Sequence, residues 1–191
     1  MKITVFSDCH WFGPTPSKVK PEFGKNVYYI GDNHEFKNIP KKRIKHFERV
    51  YKGFLISCKN SETNVLNGNH EVSVGADLLG VNSLSIPNKN AMLIHGDLVL
   101  WPNKKFNSWR EKKPGKSRRV IFGIKIKNLW RNRKGSTKLS QKKIELFSEF
   151  AKNMGVKTII FGHTHPKRLI DETHNGIRII NVPRGKTEII L

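Results

Sequence analysis

Val156-Lys157-Thr158-Ile159-Ile160-Phe161-Gly162-His163-Thr164-His165 is the stretch around which the 191-residue chain is organised. Its first six residues are rich in β-branched and apolar side chains and read as a short buried strand. The strand ends in Gly-His-Thr-His, which leaves two imidazoles on the loop at its carboxyl end. Residues two apart in extended backbone project to one side. His163 and His165 are therefore placed to bind one metal ion, or one each of two neighbouring ions.

Four more fragments follow apolar runs of the same kind. They are Asp8-Cys9-His10 after Ile3–Ser7, Gly31-Asp32 after Val27–Ile30, Gly68-Asn69-His70-Glu71 after Asn64–Leu66, and His95-Gly96-Asp97 after Ala91–Ile94. Lys41–Lys52 carries Ile44, Phe47, Val50 and Tyr51 at helical spacing, and Phe54–Ser57 reads as a further strand. Ser140–Met154 reads as a second amphipathic helix, with Ser136, Thr137 or Ser140 as its cap and Gly155 as its stop. Arg168–Glu172 and Ile177–Val182 flank Asn175-Gly176, a hairpin signal, and Thr187–Leu191 closes the chain as a last strand. Strands alternating with helices predict an α/β sheet with parallel portions. In such sheets sites collect at strand carboxyl ends, where all five fragments lie.

The length fits one domain, residues 1–191, with a basic insertion at about 101–143. No stretch approaches the roughly 20 apolar residues that cross a bilayer. The first residues run straight into a strand without the apolar region and cleavage site of a signal peptide. Two cysteines, Cys9 and Cys58, give no disulfide framework, so the expected location is the cytoplasm. Cys9 reads as a small buried residue.

The net charge is +21, which attracts polyanions: nucleic acid, anionic lipid head groups or phosphorylated metabolites. Most of it lies in Trp101–Lys143, where Lys and Arg, among them Arg118, Arg119 and Arg131, face a single acid, Glu111. Trp101, Phe106, Trp109, Phe122 and Trp130 are interleaved with them. Cations with aromatics suit a surface that grips phosphates and stacks bases.

Asp8, His10, Asp32, Asn69, His95, His163 and His165 form one set of oxygen and imidazole donors. Such donors suit Mn, Fe, Zn or Co. Seven exceed what one ion takes from protein and suit two ions sharing a carboxylate, about 3.5–4 Å apart, with a bridging hydroxide in line with phosphorus. His70 is placed to protonate the leaving oxygen or to hydrogen-bond the phosphate. Glu71 or Asp97 is placed to orient an imidazole from behind. His34 and Arg184, with Arg118, Arg119 and Arg131, are the candidate substrate contacts. His46 reads as solvated and His174 as a turn residue.

The ordered set Asp8-x-His10, Gly31-Asp32, Gly68-Asn69-His70-Glu71, His95-Gly96-Asp97, Gly162-His163-x-His165 resembles the calcineurin-like metallophosphoesterase superfamily. The resemblance spans Asp8 to His165. It implies a sandwich of two β-sheets flanked by helices. It implies one ion held by Asp8, His10, Asp32 and His165, a second held by Asp32, Asn69, His95 and His163 with Asp32 bridging, and His70 as the catalytic histidine. Gly31-Asp32-Asn33-His34-Glu35 and the insertion after His95-Gly96-Asp97 are similar to the UDP-2,3-diacylglucosamine pyrophosphohydrolases. That branch reads Gly-Asn-Arg where this chain has Gly68-Asn69-His70, and its lid covers acyl chains where this one carries charge.

The expected function is a phosphoesterase using two divalent ions, Mn foremost, on a phosphate-containing substrate, with nucleic acid or nucleotide favoured by the insertion. The alternatives are a pyrophosphohydrolase resting peripherally on anionic membrane and a catalytically inactive nucleic-acid-binding protein. Retention of every candidate ligand and His70 argues against the last.

Overall fold

The first strand alternates strictly. In β1 (Lys2–Ser7), Ile3 and Val5 face one way and Phe6 the other, and all three are fully buried. A strand apolar on both sides needs a partner layer on each face. The structure, a computed structural model, provides both layers, and describes residues 1–11, 13, 16–71, 83–101, 116 and 136–191.

β1 pairs in parallel with β2 (Val27–Ile30), and β2 with β3 (Asn64–Leu66). β4 (Ser83–Ile86), β5 (Ala91–Ile94), β6 (Thr158–Phe161), β7 (Ile170–His174) and β8 (Ile177–Asn181) build a second sheet in the order β4-β5-β6-β8-β7. There β5, β6 and β8 run parallel, and β4 and β7 are antiparallel edges. β9 (Gly185–Ile190) returns to pair antiparallel with β1, giving the first sheet the order β3-β2-β1-β9.

Ile3, Val5, Tyr28, Ile30 and Leu66 of the first sheet meet Leu93, Ile160 and Ile180 of the second in one buried layer. The opposite face of the first sheet packs Phe6, Val27 and Tyr29 on α1 (Ile44–Asn60). The opposite face of the second packs Met92, Ile94, Ile159, Phe161 and Ile179 on Phe147 and Ala151 of α3 (Gln141–Asn153). The fold is thus α/β, two sheets flanked by helices, as the resemblance implies. A short α2 (Asp97–Leu100) follows β5.

Three sequence expectations change. Phe54–Ser57 is helix, not strand. Phe47, Tyr51, Phe54, Leu55 and Cys58 fall on one buried face of α1, so the apolar pair Phe54-Leu55 continues a 3.6-residue period. The first helix runs to Asn60, well past Lys52. β4 is an additional strand, its Ser-Leu-Ser-Ile alternation too short and polar to stand out. Elsewhere the strands lie where the apolar runs predict, within two residues at the ends. Asn175 (φ 49°) and Gly176 (φ 78°) turn the β7–β8 hairpin, and Gly155 (φ 68°) ends α3. Cys9 is fully buried and His46 exposed, as read from the sequence. Arg118, Arg119, Arg131 and most of the basic insertion lie outside the described residues.

Candidate metal centre

Parallel strands bring their carboxyl ends to one edge. β1, β2, β3, β5 and β6 therefore deliver Asp8, Asp32, Asn69, His95 and His163 to one place. The turns there are sharp. Asp8, His10, Asp32, His163 and His165 all have positive φ, between 47° and 69°. Non-glycine residues rarely adopt that conformation, and clusters of such strain mark functional sites. Gly31 and Gly162 let the turns approach each other. A Cβ on Gly31 (φ 92°) would lie 2.7 Å from the Gly68 backbone, and one on Gly162 would lie 2.6 Å from Asp8 Oδ2.

Three overlapping groups have ligand atoms within 4.8 Å of one another: Asp8, His10 and His165; His10, Asp32 and His70; Asp32, His95 and His163. Asp8 Oδ1 is 3.0 Å from His165 Nε2. His95 Nε2 is 3.1 Å from His163 Nδ1, 3.2 Å from Asn69 Oδ1 and 3.4 Å from Asp32 Oδ2. Every metal candidate read from the sequence is in this cluster.

Hydrogen bonds around the cluster fix its orientation. His95 Nδ1 lies 3.0 Å from the Ile30 carbonyl. A carbonyl only accepts, so Nδ1 carries a proton and Nε2 points inward toward Asn69 and His163. Ser7 Oγ and the His163 amide both donate to Asp8 Oδ2, at 2.5 and 2.7 Å. The His70 amide donates to Asp32 Oδ1 at 2.8 Å.

Glu71 takes a different place from the one expected. Its carboxylate accepts the amides of Asp32, Asn33, His34 and Gly68, at 2.8–3.0 Å, and bonds no imidazole. It splints the β2 and β3 loops together. Burial, with the Asp32 charge adding to it, raises its pKa to about 7. Asp97 is fully buried at the start of α2 and acts on His95 through its charge.

The sequence alone gives Glu35, in Gly31-Asp32-x-x-Glu35, no role. The Glu35 carboxylate lies 2.7 Å from His70 Nδ1 and 3.2 Å from His10 Nδ1. The amides of Lys37 and Asn38 and the Asn38 side chain hold it in place.

Two candidate substrate contacts are corrected or redefined. Trp11 and His34 form an isolated parallel bridge that extends the β1–β2 pairing. It turns the His34 ring into the aromatic core, 4.5 Å from Phe54, 4.7 Å from Tyr51 and 5.1 Å from Trp11. His34 is 3% exposed and does not line the open site; burial drives its pKa down to about 3. Arg184 is half-buried, and its guanidinium donates to the main-chain carbonyls of Asp8 (2.8 Å) and Cys9 (3.2 Å).

The electrostatics of the cluster favour positive charge at its centre. Burial works against charging His95, but the carboxylates of Asp32 and Asp97 raise its pKa to about 10. Against the same opposition, Glu35 and Asp32 raise His70 to about 9. Burial would neutralise Asp8 and Asp32, yet His165 beside the first and His95 and His70 beside the second keep both well below the usual carboxylate range. Burial, followed by the charge of His95, lowers His163 to about 3 and leaves it a neutral donor.

A family model described as calcineurin-like phosphoesterase matches residues 1–167. The chain belongs to the calcineurin-like phosphoesterase family. That match spans all five strand-end fragments, and phosphoester hydrolysis is the chemistry associated with the family. Solved structures with a similar course include a predicted phosphoesterase from Streptococcus pneumoniae. It is 14% identical, with 99% of this chain and 83% of that one covered and a TM-score of 0.42. Vacuolar Protein Sorting 29 from Cryptosporidium parvum is 13% identical over 94% of this chain and 72% of its own, at a TM-score of 0.47. The cold-active protein-tyrosine phosphatase of a Shewanella species is 15% identical over 95% and 70%, at 0.42. No curated protein matches the chain. No helix among the described residues is long and apolar enough to cross a membrane.

Proposed function

We propose that this protein is a metal-dependent phosphoesterase that hydrolyses a phosphodiester of nucleic acid or a nucleotide. The observation that carries the reading is the overlap of the three ligand groups, with His10 and Asp32 each in two of them. The overlap supports the two adjacent sites that the resemblance implies: Asp8, His10, Asp32 and His165 for one ion, and Asp32, Asn69, His95 and His163 for the other. The residues fit such ions. Two buried carboxylates stay ionised, one imidazole is held neutral by burial, and another points its Nε2 inward. Oxygen with imidazole suits Mn first, and Fe, Zn or Co as well. Divalent ions held there supply Lewis acidity toward phosphoryl oxygens and a water of lowered pKa.

The chain's own residues supply the proton and the orientation. Glu35 and Asp32 raise the pKa of His70 to about 9, which favours its charged form. Nδ1 faces Glu35, and Nε2, 3.9 Å from Asp32 Oδ2, is the nitrogen turned to the cluster and the one that gives a proton to the departing oxygen. Glu35 holds the ring in that attitude and stabilises its charge.

Substrate class rests on charge and on what surrounds the centre. The net charge of +21 favours a polyanion. Trp101 sets its ring edge-on to His163, with centroids 5.1 Å apart, beside the cluster. The Lys167 amide donates to the Ser136 carbonyl, bringing exposed Lys138 near exposed Lys167 and Arg168, just past His165. An aromatic with cations at the rim suits a base with its flanking phosphates.

The test is hydrolysis of an aryl phosphodiester and an aryl phosphomonoester with Mn, beside Asp32→Ala. The reading expects diester cleavage that the variant abolishes, followed by cleavage of oligonucleotides that weakens with salt. Cleavage that is undiminished in Asp32→Ala sinks it. A clear preference for the monoester moves the substrate to a terminal phosphate.

A further inference from the structure

We propose that Arg184 is a positioning residue for the ion site built on Asp8, His10 and His165. The inference rests on the two-site reading above and adds a residue from the far end of the chain.

Register brings Arg184 there. Ser7 pairs with Gly185 where β1 and β9 run antiparallel, so the residue before β9 lies opposite the residue after β1. Its guanidinium spans two successive carbonyls: Nε donates to Asp8 O and Nη2 to Cys9 O. Those carbonyls belong to the peptides on either side of Cys9, between the two strained residues Asp8 (φ 51°) and His10 (φ 47°). The amides of the same loop are taken by β2, Asp8 N by the Gly31 carbonyl and His10 N by the Asp32 carbonyl. Cys9 O also accepts the Ser17 amide. The loop is thus held from both sides, by β2 through its amides and by Arg184 through its carbonyls.

The contact favours the left-handed turn over the extended alternative, because extension would carry the two carbonyls away from the fork. The turn aims the Asp8 carboxylate and the His10 imidazole at His165. A planar fork with fixed spacing suits two adjacent acceptors; a lysine ammonium holds one at a time. Arg184 bonds the loop after β1, whereas Asn69, His95 and His163 sit on the loops after β3, β5 and β6. Its removal therefore acts on one site more than on the other.

The experiment is a Mn titration of the full chain by calorimetry, with Arg184→Ala, Arg184→Lys and Lys186→Ala. Lys186 neighbours Arg184 but pairs with Glu22 at 2.8 Å, away from the loop. The wild type is expected to show two binding steps. In Arg184→Ala one step weakens by about 10-fold or more, the loss typical of removing a ligand's supporting partner, while the other is nearly unchanged. Arg184→Lys recovers part of the lost affinity, and Lys186→Ala matches wild type. Two unchanged steps in Arg184→Ala overturn the inference and leave the two-site reading standing. Equal weakening of both steps also overturns it, since that marks a general structural role. Fewer than two steps in the wild type overturns the two-site reading and this inference together.

Discussion

In the proposed reaction His70 is the residue on which the chemistry turns. It stands in one cluster with His10 and Asp32, and spacing alone groups it with the candidate ligands. Its bond to Glu35 and its raised pKa fit an acid instead. His70→Gln is expected to lower kcat by about 10²-fold or more, the usual size of a general-acid contribution, with bound Mn unchanged. Loss of Mn along with activity would make it a ligand. Glu35→Gln is expected to act in the same direction. His34 supplies the opposite case. Its neutral ring packs among Trp11, Tyr51 and Phe54, so His34→Phe is expected to leave kcat and KM alone, and a raised KM would return it to the substrate. The candidate ligands were legible in the sequence because each sits on a short motif directly after an apolar run. Glu35 carries no role in the sequence, and Glu71 and Arg184 carry other roles there than their contacts in the fold suggest. Glu35 lies 35 residues from His70, Glu71 37 to 39 from the amides of Asp32, Asn33 and His34, and Arg184 176 from Asp8, distances that only the fold closes.

At the scale of elements, the strands were easier to read than the helices. Each apolar run that ends in glycine or a metal motif became a strand within two residues. Phe54-Leu55-Ile56-Ser57 misled because four apolar or small residues fit either period, and length decides between them. Gly53 tests the corrected assignment. It lies in α1 with open space around its missing Cβ. Gly53→Ala is expected to raise stability to unfolding by ~1 kcal/mol, the difference between these residues inside a helix. No gain, or a loss, would contradict helix at that position. Cys58 reports on the same helix. Burial pushes its thiol up to about 12 from 9.0. Its contribution to stability is thus present below pH 9 and is lost as pH rises from 9 toward 12. The thiolate is the reactive form. Alkylation of Cys58 at pH 8 is therefore expected to be slow in the native protein and fast in denaturant; rapid native labelling would contradict its place on the buried face.

For the whole molecule, the two-sheet architecture explains why five short motifs spread over the chain can act as one centre. Parallel strands put every carboxyl end on one edge, and the interleaved helices cover the outer faces. The amino-terminal and carboxyl-terminal thirds are tied together at that edge by the β1–β9 pairing and by Arg184. The sequence conveyed the order of motifs and the charge, but not how closely the loops approach, because that depends on Gly31 and Gly162 meeting backbone and carboxylate across the site. The most direct test of the central claim is an anomalous difference map from crystals loaded with Mn. Two peaks are predicted, one among Asp8, His10, Asp32 and His165 and the other among Asp32, Asn69, His95 and His163, with Asp32 contacting both. A single peak, or two peaks that do not share Asp32, would contradict it.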